Sequence, residues 1–502
     1  MRMKISYLYK LILLVLCIFG NSGSVFTQSE SSNWLFGYPE YKHALYGTAT
    51  INIDSNYRES YKFGGSQVPI EATVSALSSR NKELILFTNG CEVMNKFGGV
   101  IENGDELNPG SMHQTMCKKY GYPVPAGAML IPFPNHANQY ILLHLGAEED
   151  NLQSIKYGPL YYSTILFDTL TGEQKVLSKN NVILEGNLEG FDITRHANGR
   201  DWWLVATVFP EQQYCIYLIS PTGINALSTV KTGSSYSPWC GKGIGAIKFS
   251  PDGKYLARWN TGCGLKLLSF DRCSGTFEMQ KEINMAGSGD FGGGGVSFTK
   301  NNKYLYVNSQ LVIYRIDMNL LPNVKLDSIL FADKKWGVSL EHSELANDGN
   351  IYFSQMAASP IMPFLYNTED PIAQNVKLDY KNFNLVSINS RSLPHYPNFS
   401  LGKIINSGCD TLTQTINIYE NKIKLVPNPA RNITILTLPS NISIKKDLVL
   451  NFYNEIGVLV FSEDIQKYST QVNISKLPQG IYFWSVNIGH QNLIGGKFVK
   501  IP

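Results

Sequence analysis

The 502-residue sequence predicts an all-β protein: a β-propeller of about six to eight blades, seven favoured, followed by a small Ig-like β-sandwich. Three observations carry this expectation. One phrase recurs along most of the chain: an apolar strand, a polar turn, a second aromatic strand, then a third strand ending in Asp or Asn. No stretch sustains helical periodicity. The composition, with 28 Tyr, 24 Phe, 43 Gly and 23 Pro, suits short aromatic strands joined by tight turns.

The N-terminus reads as an export signal over 1–27. Arg2, Lys4 and Lys10 make a positive start, Leu11 to Phe19 a short apolar core, and Gly20 to Thr27 a small and polar stretch suited to cleavage before Val25 or Gln28. The apolar core is far short of the roughly 20 residues that span a bilayer. Cys17 raises the question of lipidation, but Leu16 stands where a lipobox needs a small residue. No other segment reads as transmembrane, so a mature chain without a membrane span is expected outside the inner membrane.

The body, 28–410, carries the recurring phrase. The clearest copy is GAIKFSPDGKYLARWN from Gly245, whose Asp252-Gly253 pair is a hairpin signal. Others begin at Val74, Met129, Phe191, Val296 and Leu340. Their turn centres, near Asn81, Asn135, Asn198, Asp252, Asn301 and Asp348, recur at a period of roughly 50 to 60 residues, a propeller spacing. Six units are visible. Strands near Ala44–Ile53 and Asn384–Ile388 are expected to complete a seventh by closing the ring. The alternative architecture is a pair of stacked β-sandwiches.

After Cys409 the composition changes. A polar linker, 411–422, leads into 423–502, where six or seven short strands alternate with Pro, Asn and Gly turns. The alternation in Leu448-Val449-Leu450-Asn451-Phe452-Tyr453 suits a sheet with one buried face.

The formal net charge of +3 is small, and no basic run stands out beyond the N-terminus, which argues against nucleic acid as a partner. Seven cysteines remain after the signal. None forms C-x-x-C, and an exported chain meets oxidising conditions, so disulfides are expected. The trio Cys240, Cys263 and Cys273 is the first choice for pairing. The odd count leaves at least one thiol free or paired between chains. Buried, reduced cysteines are the other reading.

The C-terminal segment resembles the type A sorting domain of type IX secretion cargo. The matching residues are Pro427-Asn428-Pro429-Ala430, Gly457, Leu477-Pro478-Gln479-Gly480-Ile481-Tyr482 and the terminal Lys497-Phe498-Val499-Lys500. The resemblance implies two partners, the outer-membrane translocon that reads the domain and a sortase-like peptidase that removes it. It also implies a secreted or surface-anchored destination. The body resembles a family of WD40-like exported proteins found with the same secretion system. The shared phrases include Asn33-Trp34-Leu35-Phe36-Gly37, Ser250-Pro251-Asp252-Gly253, Asn347-Asp348-Gly349-Asn350 and Pro397-Asn398-Phe399. The chain departs from that family in its first hairpin, which reads Ser79-Arg80-Asn81-Lys82. That resemblance supplies no catalytic residues.

Motifs that carry chemistry are sparse. Gly287, Gly289 and Gly292 spell G-x-G-x-x-G, but a strand follows where a dinucleotide site needs a helix. No H-E-x-x-H, EF-hand loop or G-x-S-x-G appears, so no catalytic, cofactor-binding or metal residue is assigned and no cofactor is expected. His136 and His144 read as satisfied surface or edge residues. Glu148, Glu149, Asp150, Glu189, Asp192 and Asp290 are acids that a propeller channel could pair for glycosidase work. Trp202, Trp203, Trp239, Trp259 and Trp336 are candidates for a carbohydrate-stacking surface, although core packing explains most of them. Alternation along a strand leaves at most one of Trp202 and Trp203 in the core. The functional expectation is a binding module for an unknown extracellular ligand, whether glycan, peptide or protein. The alternatives are a hydrolase or lyase acting on polymers, and a structural part of the cell surface.

Overall fold

The computed structural model describes residues 29–502 apart from 39–46, 55–56, 80, 137, 150–154, 169–171, 235–244, 285–293, 325, 331–338, 410–423, 439–447, 455–457 and 489–490. The export signal, the 411–422 linker and the G-x-G-x-x-G glycines therefore lie outside the described residues. The chain forms two compact units, one ending at Gly402 and the other beginning at Lys403.

Among the described residues, the first unit is a propeller of seven antiparallel sheets of three or four strands, with one further two-stranded sheet. Blade 1 contains Asn33–Phe36, Ala49–Asp54 and Tyr57–Lys62, and blade 2 Ser75–Ser78, Leu84–Thr88 and Val93–Asn95. Blade 3 is Ala128–Pro132, Gln139–Glu149, Ile155–Phe167 and Gln174–Leu184, and blade 4 Leu188–Arg195, Trp202–Val208, Gln213–Ser220 and Gly223–Lys231. Blade 5 follows with Ala246–Phe249, Tyr255–Asn260, Gly264–Asp271 and Thr276–Ile283, then blade 6 with Val296–Phe298, Tyr304–Asn308, Val312–Asp317 and Leu326–Leu330. Blade 7 has Leu340–Leu345, Ile351–Gln355, Phe364–Tyr366 and Lys377–Asp379. The one α-helix among the described residues is a short one, Ser111–Met116.

The repeated Asp or Asn has a local cause. At the first hairpin of four blades its side-chain oxygen accepts a backbone N–H two residues on: Asn198 from Arg200 at 2.9 Å, Asp252 from Lys254 at 3.1 Å, Asn301 from Lys303 at 2.9 Å and Asp348 from Asn350 at 3.0 Å. The residue after each takes a positive φ, met by Gly199, Gly253 and Gly349 and once by Asn302. These turns end the inner strands and so line one mouth of the ring.

Blades stack face to face, so both faces of a middle strand are covered. Tyr304–Asn308 and Ile351–Gln355 are buried at every position. The same packing corrects the reading of Trp202 and Trp203. They point to opposite faces, yet both are buried, because each face meets a neighbouring sheet. Trp259 is buried too, and Trp239 and Trp336 lie outside the described residues, so no described tryptophan of this set offers a stacking surface. Outermost strands return to solvent, as the largely exposed Gly223–Lys231 shows.

Blades 1 and 7 meet, but Ala49–Asp54 and Asn384–Asn389 do not complete one sheet as the sequence suggested. Asn384–Asn389 pairs with Ser359–Ile361 and lies beside Tyr57–Lys62. There the Val386 N–H donates to Ser60 Oγ at 3.2 Å, and Ser387 Oγ donates to the Gly47 carbonyl at 2.6 Å. Across the blade 1–blade 7 junction, Arg58 stacks on Phe364 at 3.9 Å, and Trp34 meets Tyr352 edge-on at 5.5 Å.

Cys91 and Cys117 form a disulfide across 26 residues of sequence, a pairing that sequence spacing did not suggest. A loop of that size is worth roughly 3 kcal/mol in chain entropy. Cys263, Cys273 and Cys409 are each disulfide-bonded, Cys215 is a buried free thiol, and Cys240 lies outside the described residues.

The second unit is a sandwich. Lys424–Val426, Ile433–Thr437 and Ser469–Asn473 make one sheet. Leu459–Asp464, Leu448–Tyr453, Gly480–Ile488 and Gln491–Lys500 make the other, in that order. Strict alternation of burial along Ile433–Thr437 marks sheets with one covered face. Leu436, Leu450, Phe452, Val472 and Phe498 are fully buried between the sheets.

Candidate functional site

The sequence after Asn389 looks like a loop, yet it fills the centre of the ring. Ser392, Leu393, His395, Tyr396 and Phe399 are all buried. Its hydrogen bonds reach inner strands and their approaches around the circle. Tyr396 Oη donates to the Asn33 carbonyl of blade 1 at 2.8 Å. His395 Nε2 meets Asp192 Oδ1 of blade 4 at 3.0 Å. Lys248 Nζ of blade 5 donates to the Tyr396 carbonyl at 2.9 Å, and Asn398 Nδ2 to the Pro251 carbonyl at 2.7 Å. Arg391 Nε reaches Glu341 of blade 7 at 3.3 Å. Residues 390–400 are therefore a strap that plugs the channel.

Inner strands expose alternate side chains to this channel. Asp192 and Thr194, Lys248, Ser297, and His342 and Glu344 line it from blades 4 to 7. Lys248 Nζ holds both oxygens of Glu344 at 2.8 Å. Burial pushes the Glu344 carboxyl above its ordinary value, and the Lys248 ammonium pulls against that rise. Asp192 Oδ2 accepts the Phe249 N–H at 2.6 Å, so both of its oxygens are engaged. A small void of about 30 Å³ lies beside His342. At the mouth, above the strap, a pocket of about 520 Å³ opens between the hairpin turns, with Lys82, Lys300, Asn347 and Asn398 among its lining residues.

Among the described residues, Glu148, Glu149, Glu189 and Asp192 do not form a catalytic pair. Glu189 is buried in an ion pair with Arg258 and accepts Asn260 Nδ2 at 2.8 Å, stitching blades 4 and 5 together. Glu148 and Glu149 are exposed at a strand end, and Asp150 and Asp290 lie outside the described residues. Cys91, His113 and Cys117 bring three potential metal-ligand atoms within 4.8 Å of one another, but the two sulfurs are bonded to each other, and the thiolate is the ligand form.

His136 accepts its place at the edge, part-buried with Nε2 2.9 Å from the Pro221 carbonyl. His144, read as a surface or edge residue, is instead fully buried, with Nδ1 2.7 Å from Asn108 Oδ1 and Nε2 3.0 Å from Ser163 Oγ. Desolvation pushes its pKa down to about 3, and that of His342 likewise to about 3, from 6.5. Both folded values are depressed, so below pH 6.5 the unfolded chain binds protons that the native state refuses. Each histidine then removes up to about 1.4 kcal/mol per pH unit as pH falls from 6.5 towards 3. Glu341 and Glu344, raised by burial, act in the opposite direction above 4.5. Urea titrations at pH 7 and pH 5 should show a smaller acid loss in His144→Gln than in the parent, once the substitution's own cost at pH 7 is subtracted. Equal losses would remove His144 from the account.

In the C-terminal unit the motif residues gather at two points. Asn428, between Pro427 and Pro429, clamps the last strand: its Nδ2 donates to the Lys497 carbonyl at 2.7 Å and its Oδ1 accepts the Val499 N–H at 2.9 Å. Ala430 bridges Lys500 beside it, and the Lys500 ammonium donates to the Ile501 carbonyl at 3.0 Å. At the second point Tyr482 Oη donates to the Pro478 carbonyl at 2.7 Å, with Leu477 buried beneath and Gly480 opening the strand. Gly457 lies outside the described residues. Asn428 thus joins sequence motifs that stand about 70 residues apart.

The family model of the secretion system C-terminal sorting domain matches residues 424–500. No curated protein sequence matches the chain. Among solved structures, a candidate 6-phosphogluconolactonase from Bacteroides uniformis aligns at 12% identity, covering 72% of this chain and 97% of that one, with a TM-score of 0.45. The periplasmic gluconolactonase of Pseudomonas aeruginosa aligns at 10% identity over 88% of this chain and 98% of its own, with a TM-score of 0.37. PorZ, a surface component of the type IX secretion system of Porphyromonas gingivalis, aligns at 10% identity over 91% of this chain and 69% of its own, with a TM-score of 0.27. Residues 424–500 are a C-terminal sorting domain of the type IX secretion kind, which indicates export to the cell surface or the medium. Among the described residues no helix is long and apolar enough to cross a membrane.

Proposed function

We propose that the body is an extracellular binding module whose ligand site is the pocket at the channel mouth. One observation carries this reading. The pocket has the volume of a small-molecule site, and it is walled by several blades and floored by the strap. Its two carboxylates are already spent on internal partners, Glu344 on Lys248 and Asp192 on His395 and the Phe249 N–H. General acid–base hydrolysis needs a carboxyl free to exchange protons with substrate or water. Recognition needs only shape and hydrogen bonds, which this lining supplies. Reading by the translocon and removal of 424–500 by a sortase-like peptidase belong to the same proposal, as do a body running from residue 28 and a linker over 411–422.

A glycan and peptide array probed with the oxidised mature chain tests the reading. The expected result is retention of one ligand class without turnover. Release of cleaved product from the retained class would replace binding by hydrolysis.

A further inference from the structure

We infer that the mouth pocket takes a small ligand carrying a carboxylate, and that Lys300 and Asn347 receive it; this rests on the pocket being the ligand site. Most polar groups of the lining are already committed to partners within the protein. Ser250 Oγ is committed to Asp252, Ser297 Oγ to Ser343, and the Asn398 amide to Pro251 and Ser400. Lys248 spends its three donors on Glu344 and Tyr396. Among the described residues, Lys300 has no ion-pair or hydrogen-bond partner, and the Asn347 amide has none either.

These two stand at matching points of adjacent blades. Lys300 lies two residues beyond Phe298, where the inner strand of blade 6 ends, and Asn347 lies two beyond Leu345, where that of blade 7 ends. The blade repeat therefore delivers a cation and an amide side by side to the same rim. A carboxylate suits that pair, since it accepts from an ammonium and from an amide N–H together.

The walls point the same way. The aromatic rings lining the pocket, Trp34, Phe249, Phe298 and Tyr396, are each 5% exposed or less, so no ring face is open for stacking a neutral sugar. Discrimination falls to charge and hydrogen bonds. Lys300 is exposed at the rim of blade 6. With Asp192 and Glu344 tied down, Lys300 sets the charge that a ligand meets at that rim.

The chemistry has two common sources, a uronic acid and the free C-terminus of a peptide. Calorimetry on the oxidised mature chain separates them with matched pairs: galacturonate oligomers against galactose oligomers, and short peptides with free against amidated C-termini. The acid member of one pair should bind about tenfold tighter than its neutral partner, and the gap should shrink at high salt. Lys300→Gln should erase the gap between the acid and its neutral partner. Equal affinity for acid and neutral partners would overturn the inference and leave the pocket standing as a binding site. Failure of every member to bind would also overturn it; the pocket itself then stands or falls with whatever ligand the array returns.

Discussion

Deleting residues 423–502 is expected to leave the body in the periplasm, with surface and medium levels falling to background. The deleted segment has its own core, centred on Leu450, Phe452 and Phe498, and forms a compact unit from Lys403 onward. Its loss therefore removes an address without removing the packing of the propeller. The Cys91–Cys117 disulfide gives the control, because a truncated body that has folded in the periplasm still carries it. Cell fractionation, with protease added to intact cells, reads the outcome. Protease-accessible body at parental levels would sink the assignment of 424–500 as the export signal. In parental cells, mass spectrometry of surface-exposed protein should lack the peptide containing Lys500 if the domain is removed on arrival.

Lys248→Met is expected to cost about 3–5 kcal/mol of stability, the loss found when one partner of a buried ion pair is removed. Lys248 and Glu344 are both largely buried, and the ammonium also holds the strap through the Tyr396 carbonyl. Without it a carboxylate is stranded in the channel wall, and the strap loses its tie to blade 5. A second variant separates the ion pair from the fold. Lys248→Met combined with Glu344→Leu replaces the pair by apolar bulk and should recover most of the loss, since such replacements run from neutral to stabilising. Denaturant midpoints of the mature chain measure both. A single-variant cost under about 1 kcal/mol would mean that the pair is not a structural tie.

These outcomes bear on what was readable from sequence. The first hairpins were legible because an Asx turn is local: Asp252, Asn301 and Asp348 act within two residues of themselves. Asn384–Asn389 was legible as a strand from its pattern, but its partner was not: it pairs with Ser359–Ile361 and does not complete a sheet with Ala49–Asp54. The sandwich was legible from alternation, and its motifs from Pro427 to Lys500. The strap was not, because Ser390 to Ser400 has no periodicity, and burial there comes from a cavity that other blades create. Its density of apolar and aromatic residues, Leu393, Tyr396 and Phe399 beside Pro394 and Pro397, was the signal available. Trp202 and Trp203 were misjudged because the rule for a half-buried sheet fails where blades stack on both faces. The Cys91–Cys117 bridge and the buried His144 depend on chain segments meeting at a distance, which spacing alone does not encode.

The most direct test of the account is the binding of the array ligand to Asn347→Trp beside the parent. The indole would fill the mouth of the pocket from the hairpin of blade 7 without touching the Lys248–Glu344 tie. The account predicts loss of binding with an unchanged denaturation midpoint. Undiminished binding by the variant would place the ligand elsewhere on the body and contradict the channel mouth as its site.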